Sequence, residues 1–282
     1  MKFAIIIPAY NEEAFIALTL QSLVSQTLKP HQIIVVNDNS TDKTAEIINQ
    51  FAQDYPFIQL INKKSEAEHL PGSKVVEAFN YGFGAVNTNY DILCKFDADL
   101  IFPENYLEQI ARIFKNDNRV GMAGGFCHIE KEGKWILENL TNKDHIRGAL
   151  KAYKKECFTQ IGGLKTAMGW DTLDELLAQF HNWKVVTDEK LHVKHLKPTG
   201  KTYSKSAKYK QGEAFYRMRY GLKLTLIASV KLAYKKGNIS FLSDYISGYL
   251  KAKKQKLPFL VTAEEGQFIR KLRWKNIRQK FI

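Results

Sequence analysis

Two aspartates one residue apart, Asp97 and Asp99, stand where an apolar run gives way to a loop. Ile92, Leu93, Cys94 and Phe96 read as a buried strand, and Pro103 opens a helical pattern that runs from Glu104 to Phe114. Carboxylates at the end of a strand suit a hard cation such as Mg²⁺ or Mn²⁺, which prefers oxygen ligands. In an open α/β sheet, ligands sit at that same edge. Asp-x-Asp pairs also cap helices and turns, so the spacing by itself leaves both readings open. Two more polar segments follow apolar runs: Pro8-Ala9-Tyr10-Asn11-Glu12-Glu13, and Asn37-Asp38-Asn39-Ser40-Thr41-Asp42. If all three runs are parallel strands, Tyr10, Glu12 and Asp38 share one crevice with Asp97 and Asp99. No Gly-x-Gly-x-x-Gly follows the first run and no Gly-x-x-x-x-Gly-Lys-Ser/Thr occurs anywhere. A dinucleotide oxidoreductase and a P-loop enzyme are therefore both disfavoured.

The elements that must position these groups alternate over the first 130 residues. Phe3–Ile7, Gln32–Asn37, Ile58–Asn62, Asp91–Phe96 and Val120–Phe126 read as strands, several of them continuous apolar runs of the parallel-sheet kind. Helical patterns lie between them at Ala14–Ser25, Thr44–Ala52, Ser73–Phe83 and Asn105–Phe114, with Ser40 or Thr41 expected to cap the second. The β-α-β-α order predicts an α/β fold with a doubly wound, mainly parallel sheet. After about residue 135 the alternation stops, and from about 207 the pattern turns helical. Lys197-Pro198-Thr199-Gly200 reads as a linker, giving a catalytic domain over 1–200 and a basic helical region over 201–282.

Charge is unevenly placed along the 282 residues. Residues 190–282 carry 23 lysines and arginines against four acids, a net +19, whereas residues 1–189 carry a net −6. Such a tail points to an anionic partner, a nucleic acid or a membrane surface. Tyr203, Tyr209, Tyr216, Tyr220, Tyr234, Tyr245 and Tyr249 are interleaved with these lysines and arginines. That pattern suits stacking on nucleic acid or lying on an anionic bilayer, and equally a solvated helical face or a homodimer contact. The three cysteines, Cys94, Cys127 and Cys157, have no metal spacing and read as small apolar residues in a reducing compartment. No signal peptide is expected from MKFAIIIPAY, and no window reaches the ~18 apolar residues of a membrane span. The expectation is a cytoplasmic protein, peripheral on the inner face of the cytoplasmic membrane.

IIIPAYNEE, VVNDNSTDKT, the helix containing Ala78-Phe79-Asn80-Tyr81-Gly82, and CKFDADLIFP together resemble the family 2 glycosyltransferases of the GT-A fold, in that family's order. The likeness continues through GMAGGF, RGALKAYKKECFTQIGGL and GWDTLDELLAQFHNWKV, and spans roughly residues 3–197. The resemblance implies an inverting transfer of a sugar from a nucleotide-sugar donor, a UDP-sugar favoured, to a saccharide or lipid-linked acceptor in cell-envelope synthesis. It implies that Pro8, Ala9, Tyr10 and Glu12 form the first nucleotide loop, that Asp38 reads the base, and that Lys74 and Ala98 border the donor. Asp99 would be the direct ligand of a divalent cation, Mn²⁺ or Mg²⁺, with Asp97 nearer the ribose and His195 a third ligand. His192 competes with His195 for that role.

The general base of this family is the aspartate of a Glu-Asp pair, and here the sequence departs from the pattern. It reads Trp170-Asp171-Thr172-Leu173-Asp174-Glu175, with Trp in place of the usual glutamate. Asp171 is the matching base, and Asp174 and Glu175 are rivals. All three also fit acids favoured near a helix start. Trp170 and Trp183 suit either stacking on a sugar or core packing. The alternative from another class is a nucleic-acid- or membrane-binding protein acting through the basic tail without catalysis. Nucleic acid is the less favoured partner, because acceptors in the family are often lipid-linked.

Overall fold

A computed structural model of the chain describes residues 1–65, 73–138, 143–197, 209–235 and 237–279. The proposed linker residues Pro198-Thr199-Gly200, together with Pro71, Gly72 and Tyr203, lie outside the described residues. The chain divides into two compact units: Met1–His69, Lys74–Leu164 and His181–Thr199 form the first, and Leu70–Ser73, Lys165–Phe180 and Gly200–Ile282 the second. The segment Lys165–Phe180 precedes residue 200 yet clusters with the C-terminal helices.

The first unit begins β1 (Phe3–Ala9), α1 (Ile16–Val24), β2 (Gln32–Asp38), α2 (Thr44–Asp54), β3 (Ile58–Lys63), α3 (Ser73–Phe83) and β4 (Ile92–Phe96). It continues with β5 (Leu100–Ile101), α4 (Tyr106–Asn116), β6 (Val120–Lys131), β7 (Lys134–Leu137), β8 (Leu150–Lys154) and α5 (Lys155–Gln160). After α6 (Trp170–Phe180), which belongs to the second unit, β9 (Lys184–His195) completes the sheet. Strand order is β3-β2-β1-β4-β8-β6-β9-β5, with β7 paired to β6.

The first four strands read from alternation are parallel throughout: β1 pairs with β2 and β4, and β2 with β3. Ile5, Ile6 and Ile7 of β1 and Ile33 to Val36 of β2 are fully buried, as strands covered on both faces require. The remaining sheet is mixed. β8 is antiparallel to both β4 and β6, β9 runs parallel to β6, and β5 runs antiparallel to β9. Its hairpin is local: Glu132 and Gly133 both take positive φ, 52° and 74°, and connect β6 to β7 in two residues. That is the turn whose twist matches paired strands.

Helix α3 lies close on the sheet at Gly82, where a Cβ would stand 2.7 Å from Val36 Cγ2 and 2.8 Å from Ile6 Cγ2. The start of α2 corrects the expected cap. Its first turn is closed by Asp42, whose Oδ1 accepts from the Thr44 amide at 3.0 Å, while Ser40 Oγ accepts from the Asn11 amide instead. Asp42 wins because its carboxylate sits two residues before the first free amide, within reach of it.

The second unit comprises α6, α7 (Lys210–Arg217), α8 (Gly221–Lys235), α9 (Ser240–Lys254) and α10 (Ala263–Arg278). Glycines let α7 and α9 meet at backbone distance: a Cβ at Gly212 would lie 1.8 Å from the Tyr245 carbonyl. Phe180 of α6 and Phe268 of α10 pack edge to face at 5.6 Å. Thr262 and Glu265 form a capping box that starts α10. Among the described residues no helix is long and apolar enough to cross a membrane.

Candidate active site

The first two βα loops are stitched together by side chains. The amide of Glu12 donates to Thr44 Oγ1 at 2.8 Å and that of Glu13 to Asp42 Oδ2 at 3.1 Å. In return, the Thr41 amide donates to Asn11 Oδ1 at 2.8 Å. Asn11 and Asn39 hold positive φ, 52° and 60°, which asparagine tolerates better than most residues. Tyr10 stands exposed at the edge, Ala9 is buried and Pro8 half-buried. Asp38, at the carboxyl end of β2, is buried, with Lys63 Nζ 3.6 Å from its Oδ1. Lys74 sits half-buried in the first turn of α3.

Thr19 of α1 pegs the Asp97-Ala98-Asp99 turn. Its buried hydroxyl donates to the Ala98 carbonyl at 2.8 Å and accepts from the Leu100 amide at 3.0 Å. Buried Lys95 forms a close ion pair with Asp97. Burial pushes the Asp97 carboxyl up, but the Lys95 ammonium outweighs it and holds the group below the usual aspartate range. Asp97 remains one-third exposed at 34%. Asp99 faces inward, and its carbonyl accepts from the Leu196 amide at 2.9 Å.

β9 decides between the two histidines. Its alternation buries Leu191, Val193 and His195 and exposes His192 and Lys194. His195 Nε2 lies 3.5 Å from Asp99 Oδ2, whereas His192 stacks on His128 with ring centroids 4.2 Å apart. On its other side, His195 Nδ1 lies 2.8 Å from Glu138 Oε2, and Arg147 makes a close ion pair with the same carboxylate. The tautomer with its proton on Nδ1 donates a hydrogen bond to Glu138 and leaves the Nε2 lone pair for a ligand on the Asp99 side, as in carboxylate–histidine–metal arrangements. Just beyond β9, Lys197 Nζ reaches Glu12 at 2.6 Å, so the strand's exit spans Asp99 and the first loop. Burial raises the Glu12 carboxyl, and the Lys197 contact only partly offsets that.

These residues fit a hard divalent cation. Glu12 Oε2, Asp38 Oδ1 and Asp99 Oδ1 are all buried and find no hydrogen-bond partner among the described residues. Buried carboxylate oxygens normally have donors, so these three are candidate positions for a ligand or an ion. Cys127, Glu138 and His195 also bring ligand atoms within 4.8 Å of one another. A soft metal does not suit that trio: burial pushes the Cys127 thiol up to about 12, and Arg147 already balances Glu138. The trio is better understood as the scaffold that orients His195.

Asp171, Asp174 and Glu175 lie on α6, in the second unit. Asp171 is half-buried in the first turn, whereas Asp174 and Glu175 are buried at 2% and 6% exposure. Asp174 Oδ1 accepts from the Glu175 amide at 2.7 Å. Trp170 is buried, and Trp183 donates to Gln160 Oε1 at 2.6 Å beneath Lys154.

Sequence reading missed Thr19, Lys95, Glu138 and Arg147. The charged Lys95 within the otherwise apolar Ile92–Phe96 run was the one local signal, since a lysine is rarely buried unless paired. Thr19, Glu138 and Arg147 carry no such mark.

Comparison with known proteins follows the same residues. YdaM of Bacillus subtilis, named a probable glycosyltransferase, is 32% identical over 147 residues, 51% of this chain and 34% of that protein. Beta-monoglucosyldiacylglycerol synthase of Synechocystis is 30% identical over 204 residues, 65% of this chain and 41% of that protein. The chain thus spans about a third to two-fifths of the length of these relatives. A mannosyltransferase of Pyrobaculum calidifontis in complex with GDP-Man and Mn²⁺ shares the fold, with a TM-score of 0.59 at 15% identity over 98% of this chain and 80% of that one. S. aureus TarS 1-349 in complex with UDP-GlcNAc aligns with a TM-score of 0.58 at 16% identity over 89% of this chain and 73% of that one. The sequence pattern described as Glycosyl transferase family 2 matches residues 4–166, the stretch that builds the Asp38 and Asp97–Asp99 edge, and the chain belongs to that family.

Proposed function

We propose that this chain transfers a sugar from a nucleotide-sugar donor to a hydroxyl of a glycan or lipid-linked acceptor, with inversion at the anomeric carbon. The observation that carries the reading is the group of buried carboxylate oxygens without a hydrogen-bond donor on Glu12, Asp38 and Asp99 at one sheet edge, with His195 against Asp99. Asp99 and His195, with Asp97 beside them, would hold Mn²⁺ or Mg²⁺, which when bound balances the charge of the donor diphosphate. Asp38 would accept from a base N–H, and the Pro8-Ala9-Tyr10 edge would line the nucleoside. Asp171 is the base assigned to the acceptor hydroxyl; its half-exposed carboxyl is the accessible one of the three on α6. Removing that proton as the oxygen attacks from the face opposite the leaving diphosphate gives inversion in a single displacement.

A UDP-sugar is the favoured donor; related folds are known with UDP-GlcNAc and with GDP-Man, which supports a nucleotide-sugar without choosing the base. The test is a thermal-shift panel of UDP-, GDP-, dTDP- and CMP-sugars, each with Mn²⁺ and with EDTA. A rise in melting temperature with one nucleotide class, present with Mn²⁺ and lost in EDTA, is the expected result. A flat response to every donor under both conditions would overturn the donor-site assignment.

A further inference from the structure

Helix α8 is apolar on the wrong side. The face it buries carries Leu224, Thr225, Ser229 and Ala233, with Thr225 Oγ1 donating back to the Gly221 carbonyl at 2.9 Å. The face it exposes carries Leu222, Leu226, Ile227, Val230 and Tyr234, at 47%, 39%, 40%, 53% and 87% exposure. Ile239, just past the helix end, is 76% exposed. A helix that served only its own unit would turn its large aliphatic residues inward and its small hydroxyls outward.

The outer residues form two rows. Leu222, Leu226, Val230 and Tyr234 follow one another at four-residue spacing and so stack along one line of the helix. The adjacent line carries Lys223, Ile227, Lys231 and Lys235, all exposed. An apolar row with a lysine row beside it selects the occupant. Nucleic acid would use the lysines and leave the leucines in water. An apolar protein groove would take the leucines and bury ammonium groups at a cost. An anionic bilayer uses both, because aliphatic side chains enter the acyl boundary while lysines reach up to phosphate head groups and tyrosine rests between. The net +19 of residues 190–282 supplies the longer-range attraction.

We propose that the outer face of α8 is a docking surface for an anionic lipid bilayer, with Leu222, Leu226, Val230 and Tyr234 inserted and Lys223 and Lys235 on the head groups. The proposal deepens, and rests on, the reading of a lipid-linked acceptor, since it brings the enzyme to the surface where such an acceptor lies. The bilayer contact itself needs no donor, so the two readings are tested by different measurements.

The experiment is flotation of the full chain with vesicles of phosphatidylglycerol and phosphatidylethanolamine, against vesicles of phosphatidylcholine alone. Binding to the anionic vesicles about tenfold or more above the neutral ones is expected, falling as salt rises. Leu226→Gln/Val230→Gln should lower that binding by about tenfold, because apolar insertion is lost. Lys223→Gln/Lys235→Gln should reduce the preference for the anionic lipid severalfold. Both pairs lie on exposed positions, and an unchanged melting temperature confirms that each variant is folded. Equal binding to both vesicle types, or wild-type flotation by the Leu226/Val230 variant, would overturn the proposal. So would an absence of flotation accompanied by a concentration-dependent dimer that this variant abolishes, which would assign the face to a second copy of the chain. Flotation with no donor-dependent thermal shift would leave the α8 surface standing and overturn the donor-site assignment.

Discussion

His195 and Glu138, 57 residues apart in sequence, meet at 2.8 Å between Nδ1 and Oε2. Through this contact the imidazole has one orientation and one free nitrogen, and that nitrogen faces Asp99. Glu138→Gln keeps the volume but weakens the acceptor that fixes the ring. Mn²⁺ affinity, read by titration calorimetry or by the free-ion Mn²⁺ spectrum, should fall by about 10–100-fold. The same variant should be less stable by about 3 kcal/mol, because the buried carboxylate also pairs with Arg147. Unchanged Mn²⁺ affinity would show that Glu138 does not position His195 for a cation.

Asp99→Asn should separate function from stability. Asp99 Oδ1 is a buried acceptor with no hydrogen-bond partner among the described residues, so it is left unsatisfied in the folded state without a ligand. The variant is expected to keep or raise stability, by about 1 kcal/mol, while losing any Mn²⁺-dependent thermal shift with a nucleotide-sugar. A variant that still shifts with Mn²⁺ and donor would contradict the ligand assignment.

Asp97 makes a pH prediction. Burial raises its carboxyl and Lys95 more than reverses that, so the folded value lies below the ordinary 3.8. A depressed acid contributes stability that is fully present above 3.8 and is lost as pH falls through the lower folded value. Asp97→Asn should therefore melt lower than the wild type at neutral pH, and the difference should shrink as pH drops below 3.8. Parallel melting curves from pH 7 to pH 2 would show that the Lys95 pairing adds no such stability.

Asp171→Asn should leave the donor-dependent thermal shift near the wild-type value and remove transfer to an acceptor. Asp174→Asn and Glu175→Gln alter buried groups, and both are expected to lower the melting temperature. If either one instead folds normally and abolishes transfer while Asp171→Asn stays active, the base is on the other side of α6.

Gly82→Ala tests how the sheet holds α3. The added methyl would meet Val36 and Ile6 at under 3 Å, in a layer whose strands are fully buried. Overpacking of this kind costs about 1–3 kcal/mol, read as a lower denaturant midpoint with an unchanged slope.

The sequence by itself determined the first half of the sheet and its loops. β1, β2, β3 and β4, with α1 to α3 between them, are legible because buried parallel strands are continuous apolar runs and their helices are amphipathic, both local signals. The Asp-x-Asp pair and the two polar loops are legible for the same reason: they stand at the ends of those runs. Only the tertiary structure decided what these groups face. His195 rather than His192 meets Asp99 because of the pairing parity of β9, and that parity depends on the register shift opposite Gly124 and Phe126. Glu12 meets Lys197 across 185 residues. Thr19 holds Ala98 across 79 residues. The reversed faces of α8 likewise read as an ordinary basic helix until packing assigns the inner side to Thr225 and Ser229. Periodicity records which residues of one element share a face, whereas the partner of that face is set by crossovers and registers between elements distant in the chain.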